Sequence, residues 1–178
     1  MDILRLTQIT DLHLGADGAA TLGGVPTKAS FEAVLAAVAT QGRGDDRLLL
    51  TGDLASDCQP EAYQILNRIL KSHNKQAFWL PGNHDDAGIM AEHLVDFPDQ
   101  KIVDLGPWGL LTLDSSQPHK PGGHISDEQL LHVEQGLQTL ACKPHILLAM
   151  HHSPVLLNSA WLDSQQIDNR DRLYELLQ

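Results

Sequence analysis

Basic residues are scarce in this sequence. Lysine and arginine number 12 against 23 aspartates and glutamates, a formal charge of −11 over 178 residues. That balance argues against binding long nucleic acids or an anionic membrane, both of which need a basic surface. A small anionic substrate stays compatible if bound metal ions reverse the local field. Cysteine is nearly absent: Cys58 and Cys142 lie far apart without C-x-x-C spacing. This argues against a disulfide framework and fits a reducing cytoplasm. No apolar run approaches membrane-spanning length. The opening MDILRL enters a strand without a basic region followed by an apolar core, so no signal peptide is expected. Internal repeats and low-complexity tracts are missing as well. With 42% hydrophobic and 20% charged residues, the chain is expected to form one globular domain over residues 1–178.

The apolar pattern alternates between two periods. Residues 3–9, 47–51, 76–80, 101–105, 109–115 and 145–150 read as strands, the fourth and fifth joined by a hairpin at Gly106-Pro107. Residues 27–39 place Phe31, Val34, Leu35 and Val38 at helical spacing, with Thr27 as N-cap and Gly42 past the end. Residues 60–73 place Ala62, Ile65, Leu66, Ile69 and Leu70 on one stripe behind Pro60. A weaker helix covers 86–95, and residues 126–141 open with Ser126 and Gln129 in capping-box spacing. A last helix starts near Asp168 or Asn169. The order implies an α/β (α+β) fold: a mostly parallel sheet covered by helices, with an antiparallel portion from 101 to 115. Trp79, Trp108 and Trp161 are expected in the core, although Trp161 could border a pocket.

The residues that follow the strands carry the chemistry. The first strand is followed by Asp11 and His13, the second by Asp53, the third by Asn83, His84 and Asp85, and the last by His151 and His152. In open α/β sheets the carboxyl ends of the strands form the ligand crevice, so these groups are expected to converge. Asp11 and His13, two apart on an extended segment, point to the same side and can hold one ion. Asp53 offers two oxygens and can bridge two ions; Asn83 offers an amide oxygen and His151 an imidazole. Oxygen and nitrogen donors without thiolate suit Mn, Fe, Zn, Co or Ni. Two such ions about 3.5–4 Å apart can clamp a phosphoryl oxygen and acidify a water for in-line attack on phosphorus. Each short motif alone has an ordinary reading as a polar turn or a satisfied histidine pair. Their joint occurrence after four strands is what points to a site.

D-x-H, G-D, G-N-H-D and H-H-x-P in this order resemble the calcineurin-like metallophosphoesterases. The intervening segments GGVPTKASFEAVL, TGDLASDCQPEAY, LDSSQPHKPGGHISDEQL and MHHSPVLLNSAWLD resemble the bacterial class III 3′,5′-cyclic-AMP phosphodiesterases, from Ile3 to about Arg172. The resemblance implies a four-layer αββα sandwich, a centre of two metal ions, iron or manganese foremost, and hydrolysis of cyclic AMP to 5′-AMP. Carried over by motif, Asp11 and His13 hold the first metal, Asp53 bridges, and Asn83 and His151 hold the second. His84 contacts the phosphate and protonates the leaving 3′-oxygen, and Asp85 orients His84. His152 faces away from the metal.

The family's downstream G-H-x-H motif does not occur before Gln178. His119 and His124 stand upstream of H-H-S-P and do not replace it. The expectation is therefore an N-terminal portion of a longer enzyme, with the C-terminal part of the sandwich missing and activity weak. Apolar surface left open could be covered by a second copy in a homodimer. Two other readings stay open: a phosphoesterase for glycerophosphodiesters or phosphomonoesters, and a non-catalytic metal-binding module.

Overall fold

The computed structural model describes residues 4–41, 46–73 and 75–178. Ile3 and Gly42, which the sequence places in the first strand and past the first helix, lie outside the described residues. The chain divides into two compact units, one up to Asp99 and the other from Gln100. Both are mixed α and β, and no helix among the described residues is long and apolar enough to cross a membrane.

The first unit contains β1 (Arg5–Ile9), a small hairpin of β2 (Thr21–Leu22) and β3 (Val25–Pro26), α1 (Thr27–Gln41), β4 (Asp46–Thr51), α2 (Pro60–Ser72), β5 (Ala77–Leu80) and α3 (Ala87–His93). β1, β4 and β5 form a parallel sheet in that order. The register sets Ile9 beside Leu50 and Thr51 beside Leu80. All three strands therefore release their following loops at one edge. The core forms because α2 presents one continuous apolar stripe: Ala62, Ile65, Leu66, Ile69 and Leu70 are all buried. The stripe packs in one cluster with Leu48 and Leu50 of β4, Trp79 of β5, and Met90, Leu94 and Phe97. Trp79 satisfies its indole N–H on the Phe97 carbonyl at 2.8 Å, the partner a buried indole needs.

Local signals explain most boundaries. Pro60 opens α2 at its first turn. Asp86 caps α3 by accepting from Ile89 N at 2.9 Å. Thr27 differs from expectation: its hydroxyl donates to Ala20 O and its N–H to the same carbonyl, tying the helix start to the preceding loop. The β2–β3 hairpin escapes sequence periodicity because its strands have two residues each. Gly23 and Gly24 form its turn, both at positive φ, the conformation that two-residue hairpin loops favour.

The second unit contains β6 (Ile102–Leu105), β7 (Trp108–Thr112), α4 (Asp127–Thr139), β8 (His145–Ala149), a 3-10 turn (Leu162–Gln165) and α5 (Arg170–Leu176). β6 and β7 pair antiparallel across Gly106-Pro107, and β8 joins β7 in parallel after the α4 crossover. The strands read as one mostly parallel sheet are thus two separate three-stranded sheets. The tight hairpin occupies one edge of β7 and leaves the other edge for β8. Half of the capping box forms: Ser126 accepts from Gln129 N, whereas the Gln129 side chain accepts from Asp114 N instead of closing the box. Trp108 and Trp161 are 45% and 70% exposed, so neither is a core residue. Trp108 lies against the ring of His145, with centroids 4.6 Å apart.

The burial pattern sets an expectation for stability. Leu66→Ala, at a fully buried site on α2, should cost about 2–5 kcal/mol. Val95→Ala, at a position 71% exposed, should stay within about 0.5 kcal/mol. Chemical denaturation of the two variants checks the contrast.

Candidate metal centre

The loops leaving β1, β4 and β5 are stitched together by backbone bonds. Asp11 N donates to Gly52 O at 3.0 Å, His13 N to Asp53 O at 2.9 Å, and Ser56 N to Leu14 O at 3.0 Å. The Ser56 hydroxyl adds a bond to His13 O at 2.8 Å. To follow this path the chain turns left-handed at the chemical positions themselves: φ is 57° at Asp11, 44° at His13 and 53° at Asp53. Non-glycine residues seldom adopt this region, and Asp and His are among those that do so more readily. Such conformations persist only where the surroundings over-determine them, as they often do at functional sites.

Within the first unit the structure brings together Asp11, His13, Asp53 and His84. His13 Nε2 lies 3.8 Å from Asp11 Oδ1 and 3.7 Å from Asp53 Oδ2. Donor atoms of His13, Asp53 and His84 all fall within 4.8 Å of one another and could hold a metal ion. The His13 separations are too long for hydrogen bonds. They match the spacing of two ligands that each sit about 2.1 Å from a shared ion. The donor set therefore fits a metal, and it contains both carboxylate and imidazole. Asp53 is buried while Asp11 is half exposed, which places one carboxylate at the floor and one at the rim. Asn83 sits half-buried in the turn between Gly82 and His84.

Gly82 is dictated by space. A Cβ there would lie 2.2 Å from Asp53 Oδ1 and 2.4 Å from Asp53 N. The β5 loop can approach the β4 loop only with no side chain at this position, and the approach lets His84 N donate to Asp53 Oδ1 at 3.0 Å. The His84 ring is exposed, with Nδ1 2.9 Å from Ser56 O. A carbonyl can only accept, so Nδ1 carries the proton and Nε2 is the nitrogen presented for chemistry.

Asp85 does not orient His84. Its carboxylate turns inward and accepts from Leu54 N at 3.1 and 3.0 Å, Ala55 N at 3.0 Å, Gly82 N at 3.0 Å and the Tyr63 hydroxyl at 2.9 Å. The turn closed by Asp85 N on Gly82 O points the side chain under the loops, away from the imidazole. Ser56 O takes the orienting role expected of Asp85. Burial pushes the Asp85 carboxyl up from the usual range, while the N–H donors of Gly82, Leu54 and Ala55 and the Tyr63 hydroxyl pull it back. Cys58 donates its thiol to His84 O. Burial, and then the surrounding Asp85, Asp86, Asp57 and Asp53, pushes that thiol up, in keeping with its role as a donor.

In the second unit, His151 and His152 follow β8, their rings edge to face with centroids 4.9 Å apart. His152 is buried, with Nδ1 2.8 Å from Ser115 Oγ and Nε2 3.2 Å from Pro121 O. It is a structural histidine, in line with its expected orientation. His124 forms an exposed pair with Asp168 at 2.6 Å. His151 is half-buried. Sequence reasoning missed Ser56 and Tyr63. A serine in a turn and a tyrosine on an apolar helix stripe carry no pattern that marks them.

The sequence matches the family profile described as calcineurin-like phosphoesterase over residues 4–176. It is 39% identical over 180 residues to the 3′,5′-cyclic adenosine monophosphate phosphodiesterase CpdA of Haemophilus influenzae, covering 98% of this chain and 65% of the relative. Against the protein of the same name from Vibrio vulnificus the identity is 37%, with the same coverage. A 3′,5′-cyclic-nucleotide phosphodiesterase of Nostoc is 35% identical over 176 residues, covering 98% of this chain and 66% of the relative. The chain thus spans slightly less than two thirds of the length of these curated relatives.

The close approach at Gly82 generates a prediction. Gly82→Ala should push the Asp53 loop away and weaken manganese binding about 10–100-fold while far-UV circular dichroism stays unchanged. Calorimetric titration of the metal into wild type and variant measures the difference.

Proposed function

The chain belongs to the calcineurin-like phosphoesterase family, and we propose that it forms the metal-binding part of a phosphodiesterase that hydrolyses 3′,5′-cyclic AMP to 5′-AMP. The observation that carries this reading is the strand-end cluster in which His13 Nε2 lies 3.8 Å from Asp11 Oδ1 and 3.7 Å from Asp53 Oδ2, in a chain 37–39% identical over 98% of its length to two proteins named as cyclic-AMP phosphodiesterases. Asp11, His13, Asp53 and Asn83 are the proposed holders of two metal ions, with iron or manganese the first choice. His151 enters the proposal on its sequence motif. The two free cysteines support a reducing, cytoplasmic setting.

When bound, the ions supply Lewis-acid polarisation of the phosphoryl group and lower the pKa of a water. The chain's own residues do the rest. The carboxylates of Asp11 and Asp53 supply the negative charge that concentrates cations in a site meant for an anionic substrate. His84, held through Nδ1 by Ser56 O, presents Nε2–H to the leaving 3′-oxygen in its protonated form. It ends the step as the neutral Nδ1–H tautomer. General acid catalysis of this kind contributes about 10²–10⁴-fold.

Chromatographic assay of 5′-AMP release from cyclic AMP, with manganese or iron(II) supplied, tests the reading. Release should depend on metal and stop on chelation. His84→Ala should lower turnover about 10²–10⁴-fold and leave metal content nearly intact. Faster turnover of glycerophosphodiesters than of cyclic AMP would move the substrate assignment to the wider family, and loss of metal from His84→Ala would make His84 a ligand.

A further inference from the structure

Tyr63 lies on the apolar stripe of α2 and is fully buried. A phenol at such a place is costly unless its hydroxyl is satisfied. Here the hydroxyl makes two bonds. It donates to Asp85 Oδ1 at 2.9 Å and accepts from Asp86 N at 3.3 Å. It therefore touches the β5 loop at two consecutive residues, immediately after Asn83 and His84. Through Asp85 it also reaches the β4 loop, because the same Oδ1 accepts from Leu54 N and Ala55 N. These two amides directly follow Asp53. From Ser56 the chain of bonds continues to the β1 loop at His13 O and Leu14 O.

We infer that Tyr63 is a positioning residue of the metal centre: its hydroxyl anchors the Asp85 carboxylate to α2, and this strut sets the spacing of the loops that carry His13, Asp53, Asn83 and His84. The inference rests on reading these loops as a metal centre. Its physical basis is rigidity. α2 is held by its whole apolar stripe, and Leu12, Leu14, Leu54 and Ala55 seat the β1 and β4 loops on the same core; the hydroxyl adds the polar link that passes the position of the helix to the β5 loop and, through Asp85, to the amides after Asp53. Burial, and then the adjacent Asp85 carboxylate, drives the phenol's proton affinity upward, so the hydroxyl stays a donor throughout the neutral range. Asp85 has no hydrogen to donate when ionised and depends on such donors to stay buried.

Tyr63→Phe removes the hydroxyl and keeps the ring. Amide hydrogen exchange in the metal-free protein should accelerate about tenfold at Leu54, Ala55 and Gly82, the ratio for losing one hydrogen bond, with β1 amides unchanged. Manganese titration should show binding about 10–100-fold weaker in Tyr63→Phe. Ile69→Val, which trims the buried stripe of the same helix away from the loops, should leave affinity unchanged. Wild-type exchange and affinity in Tyr63→Phe would overturn the inference. So would equal loss in both variants, or uniform exchange of all amides, since Tyr63 would then serve only the fold. Wild-type protein that takes up no manganese would overturn the metal-centre reading, and with it this role for Tyr63, whatever the exchange data; wild-type uptake with an unaffected Tyr63→Phe overturns the positioning role alone.

Discussion

A single buried carboxylate, Asp85, holds the loops of the first unit in place. It accepts three backbone N–H groups from two loops and one hydroxyl from a helix. Burying a carboxylate is strongly unfavourable unless its oxygens are matched by donors, and here the donors come from segments that must be adjacent for the match to exist. The penalty for separating those segments is then the penalty of an unpaired buried charge. Among the described residues no buried side-chain nitrogen or oxygen lacks a partner, which is the condition such a network needs to be stabilising.

The geometry around this carboxylate accounts for several features that look unrelated in the chain. Asp11, His13 and Asp53 adopt left-handed backbone because the loops cross one another in hydrogen-bonded contact. Gly82 is needed because the β5 loop passes against Asp53. His84 is fixed by a backbone carbonyl of the neighbouring loop and not by its sequence neighbour. Each feature trades local backbone preference for a shared position at the strand ends. The parallel register of β1, β4 and β5 makes that trade available, since all three loops start from the same edge.

Much of the fold could be read directly. Pro60, the stripe from Ala62 to Leu70, the Asp86 cap and the Gly106-Pro107 hairpin each express a local rule, and local rules act within a few residues. The hairpin at Gly23-Gly24 was invisible because two-residue strands leave no period to detect. The strand pattern alone suggested one mostly parallel sheet, and only the family resemblance implied two, because edge pairing depends on which strand edge stays open after earlier pairings. Trp108 and Trp161 were misplaced because large apolar residues are assumed to be buried, and that rule runs only one way.

The site divides along the same line. Sequence alone determined which residue types stand after which strands, because strand ends and polar punctuation are local. That was enough to name Asp11, His13, Asp53, Asn83, His84 and His151 as candidates and to point to a metal. Tertiary structure alone decided that Asp85 faces the backbone amides of Leu54, Ala55 and Gly82, that Ser56 takes the imidazole, and that the hydroxyl of Tyr63 reaches the β5 loop. Apart from the local Gly82 bond, those contacts join residues 22 to 31 positions apart, and the direction of a side chain at the end of a turn is set by what packs beneath it, which no local pattern encodes.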